Sequence, residues 1–151
     1  MHFLKLEDDQ IVVFMDILGF KEIVRENELT DMNSLGDIIN NVDAIYKIVN
    51  NEYQAIKDYK FLWISDSIIF SAQKNKINII FKKMCELINL FYCTDFSLRG
   101  AISFGKLYHE ENIWGPAYVR AVEYEKKAIF PRIIVTEEEL KQLIIDDDYL
   151  P

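Results

Sequence analysis

Two cysteines, three prolines and five glycines are all that the 151 residues contain of these types. So little proline and glycine excludes collagen-like and low-complexity chains. Cys85 and Cys93 fall on what reads as one helix, where about 12 Å of axial rise separates them, too far for a disulfide. No CxxC occurs, and His2 and His109 stand apart, so no zinc site is expected and both thiols read as core or near-surface side chains. Long apolar runs are missing too. IVVFM and INIIF fall far short of a membrane span. The N-terminus, MHFLKLEDDQ, lacks the basic and apolar regions of a signal peptide. The expectation is a cytoplasmic protein without a membrane partner. Basic residues are outnumbered, 17 against 25 acidic, for a net charge of −8. With no basic stripe to displace counterions, nucleic acid is not the expected partner. Apolar residues, by contrast, make up 50% of the chain and aromatics 13%, which excludes intrinsic disorder and supports one packed domain over 1–151.

Periodicity gives the order of elements. Gln10 to Ile17 reads as a buried strand, apolar and β-branched at its start. Leu18, Gly19 and Phe20 turn the chain into a helix through about Arg25. Ile38, Val42, Ile45, Val49, Tyr53 and Ile56 hold the helical period over a second, longer helix, with Thr30, Asp31, Asn33 or Ser34 as its cap. Tyr59–Ile64 and Ser67–Ala72 read as a hairpin turning at Ser65-Asp66. Asn75 to about Cys93 is a helix. Phe96–Phe104 and Lys106–Glu110 are two strands broken at Gly105. Trp114-Gly115-Pro116 opens a helix to about Lys127, and Arg132–Val135 is a strand. Thr136 with Glu137, Glu138 and Glu139 starts a last helix as a capping box, which Asp146 to Asp148 end. The acidic runs read as solvated faces. This order predicts an α+β domain: a palm-type, ferredoxin-like mixed or antiparallel sheet with helices on one face.

Two carboxylates stand out. Asp16 ends an apolar strand, and Asp66 sits at a hairpin tip between two apolar segments. A carboxylate at the end of a buried strand is costly unless paired, hydrogen-bonded or metal-bound. Taken singly, Asp16 reads first as a helix N-cap and Asp66 as a turn residue. In a palm sheet the first strand and the following hairpin are neighbours, which would bring the two together. A pair of carboxylates plus substrate phosphates is the usual protein share of a Mg²⁺ site. The turn at Gly19 and Phe20 enters a helix whose free N–H groups suit phosphate oxygens.

Asp16-Ile17-Leu18-Gly19-Phe20 resembles the first metal motif of class III nucleotidyl cyclases, and Ser65-Asp66 their second, a Gly-Asp at a hairpin tip. Arg99 to Lys106 (RGAISFGK) and Asn112 to Gly115 (NIWG) resemble the next two blocks, in the family's order. Arg99-Gly-Ala-Ile-Ser, Leu107-Tyr108-His109, Ile113 to Ala117, Glu123-x-Glu125 and Ala128-x-x-Pro131-Arg132-Ile133 resemble one branch, the bacterial pyrimidine cyclases of the Pycsar antiphage system. That resemblance implies an enzyme that converts UTP or CTP to the 3′,5′-cyclic monophosphate and diphosphate. It implies two Mg²⁺ or Mn²⁺ ions on Asp16, Asp66 and the Ile17 carbonyl. It also implies a homodimer with a composite site, and a separate effector that senses the cyclic nucleotide. Lys106 would take the place of a phosphate-contacting Arg, and Asn112 that of the base-reading Asp. Leu62 stands where a purine-reading Lys would be. Val119 and Glu123 replace the transition-state Asn and Arg, and Arg120 is the neighbouring candidate to supply the lost charge. The chain reads as a minimal or C-terminally shortened version. The alternative is a degenerate cyclase-like domain that binds a nucleotide or a partner without turnover.

Overall fold

A computed structural model describes residues 5–30, 32–53, 59–94 and 96–144. Strand β1 (Glu7–Leu18) leads into α1 (Phe20–Thr30) and α2 (Met32–Tyr53). The hairpin β2 (Lys60–Ile64) and β3 (Ser67–Gln73) follows, then a 3₁₀ turn (Lys74–Lys76) and α3 (Ile77–Tyr92). The chain returns through β4 (Ser97–His109), β5 (Ile113–Trp114), α4 (Pro116–Glu125), β6 (Ile133–Val135) and α5 (Glu137–Ile144). The strand order is β2-β3-β1-β4-β5, with β6 also beside β4. All pairings are antiparallel except β4 with β6.

The α+β class and the palm-like sheet expected from the sequence are those of the structure. Helices on one face are not. Ile11, Val13, Met15 and Ile17 pack with α2 and α3 through Val49, Ile80, Leu87 and Phe91. Val12 and Phe14 point the other way, against Ala117 and Ala121 of α4. The continuous apolar run of β1 is therefore the mark of a central strand covered on both faces, which alternation cannot reveal. The two alanines let α4 approach closely.

Gly105 does not end a strand. Its φ of 136° is absorbed inside β4, and β1 follows it with a register shift between Glu7 and Gln10. A Cβ there would stand 2.9 Å from Arg120 Nη2, so the bare glycine gives that guanidinium its room. Ile113 and Trp114 form β5, and helix α4 begins only at Pro116. The first helix is longer than the spacing suggested, reaching Thr30. Ile56, Asp31 and Asp146 to Asp148 lie outside the described residues. Cys85 and Cys93 are free and exposed. Among the described residues no helix is long and apolar enough to cross a membrane.

Candidate active site

Asp16 stands near the end of β1, paired with Ser67 on one side and Arg99 on the other. Asp66 occupies the second position of the turn between β2 and β3 and is buried. Its carbonyl accepts the Ile17 N–H at 2.8 Å, which ties the hairpin tip to β1. The expectation that strand end and hairpin tip meet is the geometry observed.

The pair is electrostatically tense. Burial pushes the Asp16 carboxyl up from 3.8 to about 6, with the Asp66 and Glu125 charges adding to the rise. Lys21 and Arg99 oppose the shift without cancelling it. A carboxylate raised by burial beside a second buried carboxylate is a donor set suited to a divalent cation, which would relieve both burial and repulsion. Asp16 and Asp66 are the residues that would hold it. Among the described residues no cluster of three or more acidic, histidine or cysteine side chains could do so alone, so further ligands would come from backbone, water or substrate.

Gly19 follows with φ 74°, a left-handed conformation that a side chain would resist. This turn lets β1 pass directly into α1, whose first N–H groups lie just beyond the Asp16 strand end. The Gly19 carbonyl accepts the Ile23 N–H at 2.9 Å. Ile17 places its side chain in the core, and Phe20 packs at the edge of the core, 6.2 Å from the Phe96 ring.

Glu125 was not singled out by its chemistry in the sequence, although a signal existed. Ala117, Ala121, Tyr124 and Glu125 share the buried side of α4. A glutamate buried on an alanine stripe needs a cation or hydrogen-bond donors. It accepts a hydrogen bond from Arg99 Nε and so draws Arg99 into the neighbourhood of Asp16. Glu139 is a second such case and corrects the reading of its run as solvated. It is fully buried, and its carboxylate does not fold back as a capping-box side chain. It accepts from Phe104 N–H at 2.8 Å, Ser103 Oγ at 3.0 Å and Arg120 Nε at 2.9 Å. The Thr136 end of that capping box is present, as Oγ1 accepts from Glu139 N–H at 3.4 Å.

The remaining expected residues lie elsewhere in the chain. Arg120 is held by Glu139 and also donates to the Phe104 carbonyl. Phe104 pairs with Ile11, about 17 Å along β1 from Asp16. Lys106 is exposed, 3.7 Å from an Asp8 carboxylate oxygen. Asn112 is exposed in the β4–β5 turn, where its carbonyl accepts the Glu110 N–H at 3.0 Å. Leu62 packs against the α4-side core, while Val119 and Glu123 are exposed on α4. The structure thus brings Asp16, Asp66, Arg99 and Glu125 together. It leaves Lys106, Asn112 and Arg120 towards the opposite end of the sheet.

No protein-family model matches the chain, and no curated protein does either. Solved structures do. The guanylate cyclase domain of RhGC from Catenaria anguillulae, in complex with GTP, has a TM-score of 0.66 at 15% identity, covering 94% of this chain and 85% of that one. The monomeric guanylyl cyclase domain of the RhoGC fusion protein from Blastocladiella emersonii has 0.66 at 14%, covering 93% and 88%. The adenylyl cyclase CyaB from P. aeruginosa has 0.53 at 15%, covering 95% and 84%. The fold is therefore that of class III nucleotidyl cyclase domains.

Proposed function

We propose that this protein is a metal-dependent nucleotidyl cyclase acting on a pyrimidine nucleoside triphosphate, UTP or CTP. The observation that carries the reading is the Asp16–Asp66 pair, gathered at one strand end on a cyclase fold, with Asp66 buried and Asp16 pushed up by burial. Asp16, Asp66 and the Ile17 carbonyl would hold two Mg²⁺ or Mn²⁺ ions. Bound there, these would acidify the ribose 3′-hydroxyl and draw charge from the departing diphosphate. The 3′-oxygen attacks the α-phosphorus in line, its proton passing to solvent. The bond to the bridging oxygen breaks, and diphosphate leaves with that oxygen. The α1 N-terminus beyond Gly19 and Phe20 orients phosphate oxygens through backbone N–H groups. Lys21 and Arg99 supply positive charge beside them.

Lys106, Asn112 and Arg120 act on the substrate held by a second copy, so the working unit is a homodimer. Their separation from the aspartates within one chain supports this arrangement. Leu62 offers no hydrogen bond to a purine edge, and Asn112 offers both a donor and an acceptor to a pyrimidine. The product would serve a separate cyclic-nucleotide-sensing effector in cytoplasmic antiphage defence. The degenerate, binding-only reading retains one specific support: exposed Val119 and Glu123 replace two transition-state donors. Incubation with each of the four NTPs and Mn²⁺, followed by mass spectrometry, decides between them. A cyclic pyrimidine monophosphate is expected, and the absence of any cyclic product overturns the reading.

A further inference from the structure

The turn that carries Asp66 is built on a residue that resists it. Ser65 sits at φ 56° in a two-residue turn closed by the Ile64–Ser67 pair. Glycine is the favoured residue at the first position of such a turn, because a Cβ crowds the backbone there. The serine therefore needs a hold from outside the turn. The indole Nε1 of Trp63 supplies one, donating to the Ser65 carbonyl at 2.8 Å. That indole is itself fixed by rings from three elements. Tyr46 of α2 meets it edge-on at 5.6 Å, Phe61 of β2 at 6.4 Å, and Phe91 of α3 lies at 5.9 Å. The next carbonyl, that of Asp66, is held from the opposite strand by Ile17 N–H at 2.8 Å. Two successive carbonyls are thus pinned from two directions, and the Asp66 side chain projects from between them.

We propose that Trp63 is a positioning residue: its indole N–H, by holding the Ser65 carbonyl, aims Asp66 at Asp16 and so sets the divalent-cation affinity of the pair. This rests on the metal-site reading above. A tryptophan that merely fills space would serve as well without its N–H, and that difference can be measured.

The test replaces the Trp63 indole by benzothiophene, introduced site-specifically as benzothienylalanine in the full chain. The ring keeps its shape and aromatic contacts and loses only the donor. Trp63→Phe provides a genetically simpler second variant, and Asp66→Asn the reference. Mn²⁺ binding to the nucleotide-free protein is read by electron paramagnetic resonance, and thermal melting is recorded without metal. The benzothiophene protein should bind Mn²⁺ about tenfold more weakly, the scale of one lost hydrogen bond, with its melting temperature lowered only slightly. Its turnover should recover at saturating Mn²⁺, because the fault lies in metal affinity. Asp66→Asn should lose binding and turnover together. Wild-type Mn²⁺ affinity in the benzothiophene protein, with Asp66→Asn defective, overturns the role of Trp63 and leaves the metal site standing. Wild-type affinity in Asp66→Asn overturns the metal site and this proposal with it.

Discussion

The two ends of β1 bury ionisable groups in opposite ways. At one end Asp16 is pushed up to about 6 by burial and by two other carboxylates. At the other, His109 is held down near 4, chiefly by burial and then by Lys60. His109 is neutral at pH 7, and its Nδ1 meets Ser71 Oγ at 2.6 Å, beside a cleft of about 270 Å³ that Gln10 and Lys60 also line. Ser71 and His109 answer each other within the protein, whereas burial and neighbouring carboxylates leave Asp16 raised despite Lys21 and Arg99. A fold tolerates such tension where a ligand is to relieve it. On the function proposed above, the aspartate end is the chemical one and the His109 pair is structural.

Asp16→Asn should give the largest effect. Loss of a carboxylate that would hold the metal ions lowers turnover by at least ~100-fold, the scale of one electrostatic stabiliser, while the metal-free fold above pH 6 becomes more stable. Steady-state kinetics and urea unfolding read the two changes. Asn112→Ala, at the histidine end of the sheet, should lower kcat/KM for the preferred pyrimidine about ten- to a hundredfold, from one unsatisfied hydrogen bond of roughly 1–3 kcal/mol. Equal losses on UTP and CTP would mean that Asn112 supports its turn and does not read the base. Mixing the two variants sharpens the comparison further. If the ends meet across a dimer, hybrids carry one intact site, and the mixture should recover about a quarter of wild-type activity by random pairing. No recovery by freely exchanging chains would place the whole site within one chain.

His109→Ala should cost about 1–3 kcal/mol in urea unfolding by orphaning Ser71, with turnover per folded chain unchanged. The wild-type pH profile should be the shallowest readout, because two contributions run against each other. Asp16 holds its proton more tightly folded than unfolded, so its contribution to metal-free stability is lost as pH rises from 3.8 to about 6. For His109 the unfolded chain takes the proton first, so stability is lost as pH falls from 6.5 to about 4. The two slopes oppose each other over one window. Asp16→Asn should make metal-free stability rise more steeply with pH across it, and His109→Ala more shallowly, by chemical denaturation at a series of pH values.

The parts legible in the sequence were those that depend on local pattern. Helical spacing located α2 and α3, and the Ser65-Asp66 break located the hairpin that faces Asp16. What escaped depends on neighbours distant in the chain. The inward turn of Glu139 follows from the Phe104 N–H and Arg120 waiting across the sheet, and no spacing within the Glu137–Glu139 run records them. Gly105 looked like a strand end because its continued pairing is set by β1. The second covered face of the sheet was hidden for a related reason: an unbroken apolar run does not say which residues face which helix. Glu125 was legible in principle, from its place on the alanine stripe of α4.

The account rests on Asp16 being a strained, cation-seeking carboxylate. Carbon-detected NMR titration of its side-chain carboxyl in metal-free protein, repeated with Mg²⁺, tests this most directly. The midpoint should lie near pH 6 without metal and fall well below it with Mg²⁺. A midpoint at the ordinary 3.8, unmoved by Mg²⁺, would contradict it.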